Sequence, residues 1–176
     1  MKQTQNGWPL IESRDSDELH TWVIPARTGE FKMVLRRGPA GFLLAVFALW
    51  FAEVIEKVPG RVLDDWGWAP PRPVRGQTDG YSNHGSGTAE DLNATQHPLG
   101  VEDTFTPSEV AKIHKYLEFL GGAVRGGLDY RNREDAMHFE INQDFAYVQR
   151  QARRVARRPR GLRILRANPT QRKWIL

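Results

Sequence analysis

Hydrophobic positions along the chain follow two different periods, and the changes from one to the other mark the elements. Residues 21–24 and 31–35 are rich in β-branched and aromatic side chains and flank Pro25, Ala26, Arg27, Thr28 and Gly29. That pattern predicts two strands joined by a loop. Residues 1–20, with Gly7, Pro9 and scattered charges, read as an extended arm docked through Trp8 and Leu10. At Gly38, Pro39, Ala40 and Gly41 a helix opens and runs to about Val58, where Pro59 and Gly60 stop it. Apolar residues surround its first turns, which places it in the core. Its apolar run, residues 42–52, is 11 residues long, well short of the ~20 that cross a bilayer.

Alternation returns further along. Residues 88–93 read as a short strand with Ala89, Asp91 and Asn93 on one face and Thr88, Glu90 and Leu92 on the other. In residues 135–141, Met137, Phe139 and Ile141 alternate with Ala136, His138 and Glu140, so His138 faces away from the apolar side of a half-buried strand. Between these two lies a helix. Thr106 caps it, Pro107 fills the first turn, Glu109 reaches back, and Val110, Ile113, Leu117 and Leu120 form its buried stripe up to Gly121 and Gly122. His114 beside that stripe reads as a partly buried packing residue, and residues 123–131 as a glycine-rich segment bordering the cleft. Residues 143–158 predict a helix with Phe145, Val148, Ala152 and Val155 on one face and arginines on the other. The expected fold is therefore α+β: a small, mainly antiparallel sheet packed against a buried helix, with a basic C-terminal helix.

Composition narrows this further. At 176 residues, with 40% apolar and 26% charged residues, the chain is sized for one domain with a real core. There is no cysteine, so a metal site must be built from histidine and carboxylate. The first residues lack the apolar core of a signal peptide, which leads us to expect a protein made in the cytoplasm without a signal peptide and released later. Charge is unevenly spread. Residues 150–176 hold 9 Arg and 1 Lys and no acid, while the other 149 residues carry 15 basic and 21 acidic side chains, a net of −6. We read a body over 1–149 and a basic extension over 150–176 packed on the same domain. Such an extension either holds to its own acidic body or attracts an anionic wall polymer or membrane surface. Interleaved aromatics and a nucleic-acid motif are lacking, so no specific nucleic acid is expected, and the chain should be a monomer.

The chemistry gathers in residues 82–91. His84 and Asp91 are candidate ligands of one metal, with His138 as the third. Imidazole nitrogen and carboxylate oxygen are ordinary zinc ligands, and three protein ligands with a fourth position left to water describe a catalytic site. Gly85 and Gly87 let the chain turn sharply after His84 and fold back over the strand bearing Asp91. Asp135 stands at the mouth of the His138 strand, placed for a general base, with Glu134 as the fallback. Prolines at 70, 71 and 73 make a rigid arm for Arg72, whose guanidinium suits an oxyanion or a substrate carboxylate. The alternative for Arg72 and Arg75 is surface pairing with Asp64 or Asp65. Trp66 and Trp68 read as core or groove wall, and residues 77–81 as a loop at the rim.

The sequence Ser82-Asn83-His84-Gly85-Ser86-Gly87-Thr88-Ala89-Glu90-Asp91 with the later Asp135-Ala136-Met137-His138 resembles the zinc D-alanyl-D-alanine carboxypeptidases. That family also includes vancomycin-resistance dipeptidases and phage endolysins that cut the L-alanyl-D-glutamate bond of peptidoglycan. The resemblance spans roughly residues 64–141. It implies that His84, Asp91 and His138 bind zinc, Ser82 braces the first ligand, Asp135 is the base, and Arg72 contacts the substrate carbonyl; Arg75, three residues on, is a further candidate on the substrate side. Two positions depart from the family pattern: Asp135 where many relatives carry Glu, and Glu90 where they often carry an apolar residue. The activity expected is peptidoglycan stem-peptide hydrolysis, of the phage endolysin type. The alternatives are a D-alanyl-D-alanine carboxypeptidase or dipeptidase, and a non-catalytic module that binds the cell wall.

Overall fold

The computed structural model describes residues 2–60, 62–74 and 80–176. At its centre is helix α1 (Pro39–Val54), buried from Pro39 to Ala52 because it has no polar face to turn outward. Strands β1 (Leu19–Ala26) and β2 (Gly29–Arg36) form an antiparallel hairpin against it, with Ala26 opposite Gly29. The connection is thus shorter than the expected loop. Pro25 continues the strand because a two-stranded ribbon consists of edges, where a missing N–H is tolerated.

α1 also ends earlier than its pattern suggests. The N–H groups of both Ile55 and Glu56 turn back to the Phe51 carbonyl, closing the helix. Glu56 is then held by His97 (2.9 Å) and Asn93 (2.9 Å). His97 is a buried link between this end of α1 and Thr104 (2.8 Å), stacked on Phe105.

The second sheet has the order β3 (Ala89–Asp91), β5 (Asp135–Ile141), β4 (Val124–Gly127), antiparallel throughout. β4 lies in the segment read as a glycine-rich border, where two glycines erase the alternation that would have marked a strand. Phe139 turns to α1 and packs on Phe47 at 4.3 Å between ring centroids. Helix α2 (Pro107–Phe119) begins with the reciprocal capping of Thr106 and Glu109 and buries Ile113 and Leu117. His114 corrects its expectation: it stands on the exposed shoulder of α2 and pairs with Asp129 at 2.9 Å.

The extension forms more structure than its sequence suggested. Helix α3 (Phe145–Ala156) is followed by α4 (Pro159–Ala167), a 3₁₀ turn (Pro169–Gln171) and α5 (Arg172–Ile175). Ile164, Leu165 and Ile175 are buried. Asn168 completes the free edge of β1, donating to the Val23 carbonyl (2.8 Å) and accepting its N–H (2.9 Å). The side-chain carbonyl of Gln171 accepts the N–H of Gly38 at the start of α1 (3.0 Å). Arg163 and Arg160 meet Glu53 of α1 at 2.8 and 3.3 Å.

Burial alone would raise the Glu53 carboxyl, but its hydrogen bonds and the charges of Arg163 and Arg160 outweigh that and hold it below its usual value. A lowered acid pKa stabilises the fold above the unfolded value, about 4.3, and that contribution disappears as pH falls through the folded value. Thermal melts between pH 7 and 3 should therefore show the deficit of Glu53→Gln at pH 7 shrinking towards zero in acid. A deficit independent of pH would mean that the ion pairs do not fasten the extension.

Candidate metal centre

The site is assembled where the chain turns into β3. Residues Asn83–Ser86 make one 3₁₀ turn, capped by Ser82, whose Oγ accepts the N–H of His84 at 3.4 Å. Gly87 ends the turn at φ 66°, and a Cβ there would lie 2.7 Å from the Arg36 nitrogen of β2, so glycine is needed on both counts. The amino-terminal arm braces this turn from outside. Thr4 bonds Ser86 (2.9 Å), the Asn6 N–H donates to the Asn83 side chain (3.0 Å), and the Asn6 amide donates to Thr88 (2.8 Å).

Opposite, the antiparallel register puts Asp91 of β3 directly across from His138 of β5, and side chains of directly paired residues are neighbours on one face. The His84 turn closes the third side. His84 Nε2 lies 3.3 Å from Asp91 Oδ1 and 3.2 Å from His138 Nδ1, and His138 Nδ1 lies 2.9 Å from Asp91 Oδ1. Among the described residues this is the one His and carboxylate group tight enough to hold a metal ion. Tetrahedral zinc with bonds of about 2.0–2.1 Å separates its ligands by roughly 3.3 Å, so the triangle is of zinc size.

Hydrogen bonds behind the histidines decide which nitrogens face inward. His84 Nδ1 meets the Gly67 carbonyl at 2.6 Å, where it can only donate, which leaves Nε2 with a free lone pair. A Cβ on Gly67 would come within 2.2 Å of the Val34 carbonyl, so this carbonyl is delivered by a position that only glycine fits. His138 Nε2 meets Glu140 Oε2 at 3.0 Å, turning Nδ1 towards Asp91. The carboxylate of Glu140 is in turn held by Asn83, by Arg125 Nε (2.6 Å) and by Tyr130 (2.7 Å). Orienting groups of this kind set ligand tautomer and basicity.

Two lone pairs and an anionic oxygen thus converge on one point, an arrangement that calls for positive charge. The electrostatics agree. Burial works to lower the pKa of His138, yet Asp91 and Glu140 push it up to about 10. Burial would raise Asp91, but the two histidines hold it well below the usual carboxylate range. Glu140→Gln keeps the shape and removes the charge behind His138, so zinc affinity should fall about 10- to 100-fold. Competition with a chelating dye would measure this, and unchanged affinity would make Glu140 a packing residue only.

Asp135 lies beside the triangle. Pairing passes from Gly126–Phe139 to Gly127–Asp135, so one step on β4 spans several residues of β5. That irregularity breaks strict alternation, which would have put residues 135 and 138 on opposite faces. The Asp135 carboxyl is raised by burial first, and His138, Asp91 and His84 all act on it. Its Oδ1 is buried without a hydrogen-bond partner, as a group waiting for water or substrate would be.

Glu134 interacts instead with Asp103, Glu102 and Asp129, so the structure brings Asp135, and not Glu134, to the triangle. Arg72 is exposed, and its carbonyl accepts the Ser82 N–H at 3.2 Å, tying the proline arm to the histidine turn. Asp64 and Asp65 bond Thr95 and the Asn93 N–H rather than Arg72. Arg75 and residues 77–79 of the expected rim loop lie outside the described residues. Trp66 is exposed and its backbone pairs with that of Asp91, whereas Trp68 is buried and donates to the Ile11 carbonyl. Glu90, on the far face of β3, is fully buried with both oxygens partnerless, and burial pushes it well above the usual carboxylate range.

Sequence reading had missed Gly67, Asn83, Arg125, Tyr130 and Glu140. Of these, only Glu140 carried a signal, through its i+2 spacing from His138 on one strand face. No curated protein and no solved structure gives a significant match to the chain. A family model does: residues 75–141 match that of D-alanyl-D-alanine carboxypeptidase. That segment supplies His84, Asp91, His138 and Asp135 together, so the stretch of chain that carries the candidate ligands is the stretch similar to D-alanyl-D-alanine carboxypeptidase.

Proposed function

We propose that the chain is a zinc-dependent peptidase that cuts a stem-peptide bond of peptidoglycan, of the L-alanyl-D-glutamate endopeptidase type found in phage endolysins. The observation that supports it best is the triangle of His84 Nε2, Asp91 Oδ1 and His138 Nδ1 with the partnerless Oδ1 of Asp135 beside it. The donor set fits zinc, and these three residues would hold it. When bound, the ion supplies Lewis acidity towards a carbonyl oxygen and makes water a stronger acid.

The rest belongs to the chain. Asp135 takes a proton from the attacking water at its free carboxylate oxygen and returns it to the departing amine. Burial keeps that carboxyl above its ordinary value, which makes it the better base. Glu140 and the Gly67 carbonyl hold the two imidazoles so that neither has to reorient during the reaction. Arg72, exposed on its proline arm, reaches the substrate carbonyl or carboxylate. In this reading the protein is made in the host cytoplasm and acts at the wall after release.

The family description favours a second reading, removal of a terminal D-alanine. Mass spectrometry of purified peptidoglycan digested with the zinc-loaded protein separates the two. The endopeptidase leaves a new amino-terminal D-glutamate and L-alanine still attached to glycan; the carboxypeptidase releases free D-alanine and leaves the stem in place. An intact stem peptide after digestion would sink both.

A further inference from the structure

A cavity lies on the side of α1 away from the sheet, and nothing in the peptidase reading uses it. Phe47 and Phe51 of α1 face Phe139 and the sheet, whereas Val46, Trp50 and Val54, spaced four apart, line a groove of about 730 Å³ closed by α2 and by the corner between α3 and α4. The volume is that of an ordinary small-molecule site. Its floor is apolar and partly aromatic. Trp50 stacks on Tyr116 at 4.2 Å with the rings 4° from parallel, and Phe119 continues the stack at 5.2 Å.

The rim carries the opposite chemistry. Lys112 and Lys115 of α2 and Arg158 at the α3–α4 corner border the groove, and among the described residues none of the three takes part in an ion pair. Among the described residues, Glu118 is the only acid on the lining. Arg158 also belongs to a smaller cavity formed with Arg153, Arg154 and Arg157 at the C-terminal end of α3. An apolar slot therefore opens onto a continuous cationic shelf.

We propose that this groove binds an anionic lipid, with its apolar part against Trp50, Val54 and Phe119 and its headgroup between Lys112, Lys115 and Arg158. The arginine shelf of α3 then lies against neighbouring headgroups of the same surface. A soluble polyanion would engage the arginines and leave the apolar lining of Val54, Tyr116 and Phe119 uncovered; an amphiphile uses both halves. The groove shares no residue with the zinc triangle, so the proposal stands apart from the peptidase reading.

The test is flotation of the full chain with vesicles of phosphatidylcholine, with and without phosphatidylglycerol. The protein should float with the anionic vesicles and not with the neutral ones. Lys112→Glu/Lys115→Glu, at exposed positions that leave the core untouched, should bind at least about thirty-fold more weakly, since the loss of two interfacial cations alone implies that much. Phe119→Ser, compared at equal melting temperature and zinc content, should weaken vesicle binding while leaving polyphosphate binding unchanged. Equal flotation with both vesicle types, or full binding by the lysine double variant, would overturn the site. So would undiminished binding by Phe119→Ser, which would reduce the face to a polyanion patch.

Discussion

Asp135→Asn should lower kcat about 10²- to 10⁴-fold, the range typical of losing a general acid–base group, while the protein keeps its zinc. Asparagine preserves the shape of the side chain and takes away the proton acceptor. The structure separates the two properties because Asp135 stands outside the triangle of His84, Asp91 and His138, yet its carboxyl feels all three. Metal content by atomic emission, read beside kcat and KM on a soluble stem peptide, makes the comparison. Zinc lost in proportion to turnover would make Asp135 a ligand, and the roles within the site would have to be redrawn.

Removing residues 150–176 should leave a chain that no longer folds. A tail that served only to attract an anionic wall would be dispensable for cleaving a short soluble peptide. Here Val155, Ile164, Leu165 and Ile175 are buried in the common core. At about 1.5–3 kcal/mol for each such side chain, their loss comes to roughly 6–12 kcal/mol, comparable with the whole stability of a domain this size. The same truncation strips Gln171 from the start of α1 and leaves Glu53 without Arg160 and Arg163. Circular dichroism should show no cooperative melt, and wall binding and peptide cleavage should vanish together. A truncated protein that melts sharply and keeps full peptidase activity would show that the extension is an accessory.

These two predictions show which parts of the molecule could be read early. The Asp135 prediction needed the motif, and the motif is local: His84 and Asp91 lie seven residues apart around a glycine turn, and Asp135 and His138 share one strand. The tail prediction needed the packing. Arginine-rich helices look the same in sequence whether their apolar stripe faces a core or an outside surface. The buried residues of α4 and α5 are few and spaced among charges, so periodicity alone did not reveal these helices.

By itself the sequence determined the elements whose patterns are strong and local. These are the uniformly apolar helix α1, the capped helix α2, the alternating strand β5, and the residue types able to hold a divalent metal. Tertiary structure alone decided how these groups are oriented and supported. It put the Gly67 carbonyl behind His84, and Glu140, fixed by Asn83, Arg125 and Tyr130, behind His138. It also swung Asp135 onto the ligand face through an irregularity in pairing with β4. The reason is physical. Helix and strand periods depend on neighbours a few residues away, whereas a ligand's tautomer and a base's direction depend on groups that only folding brings within hydrogen-bonding distance.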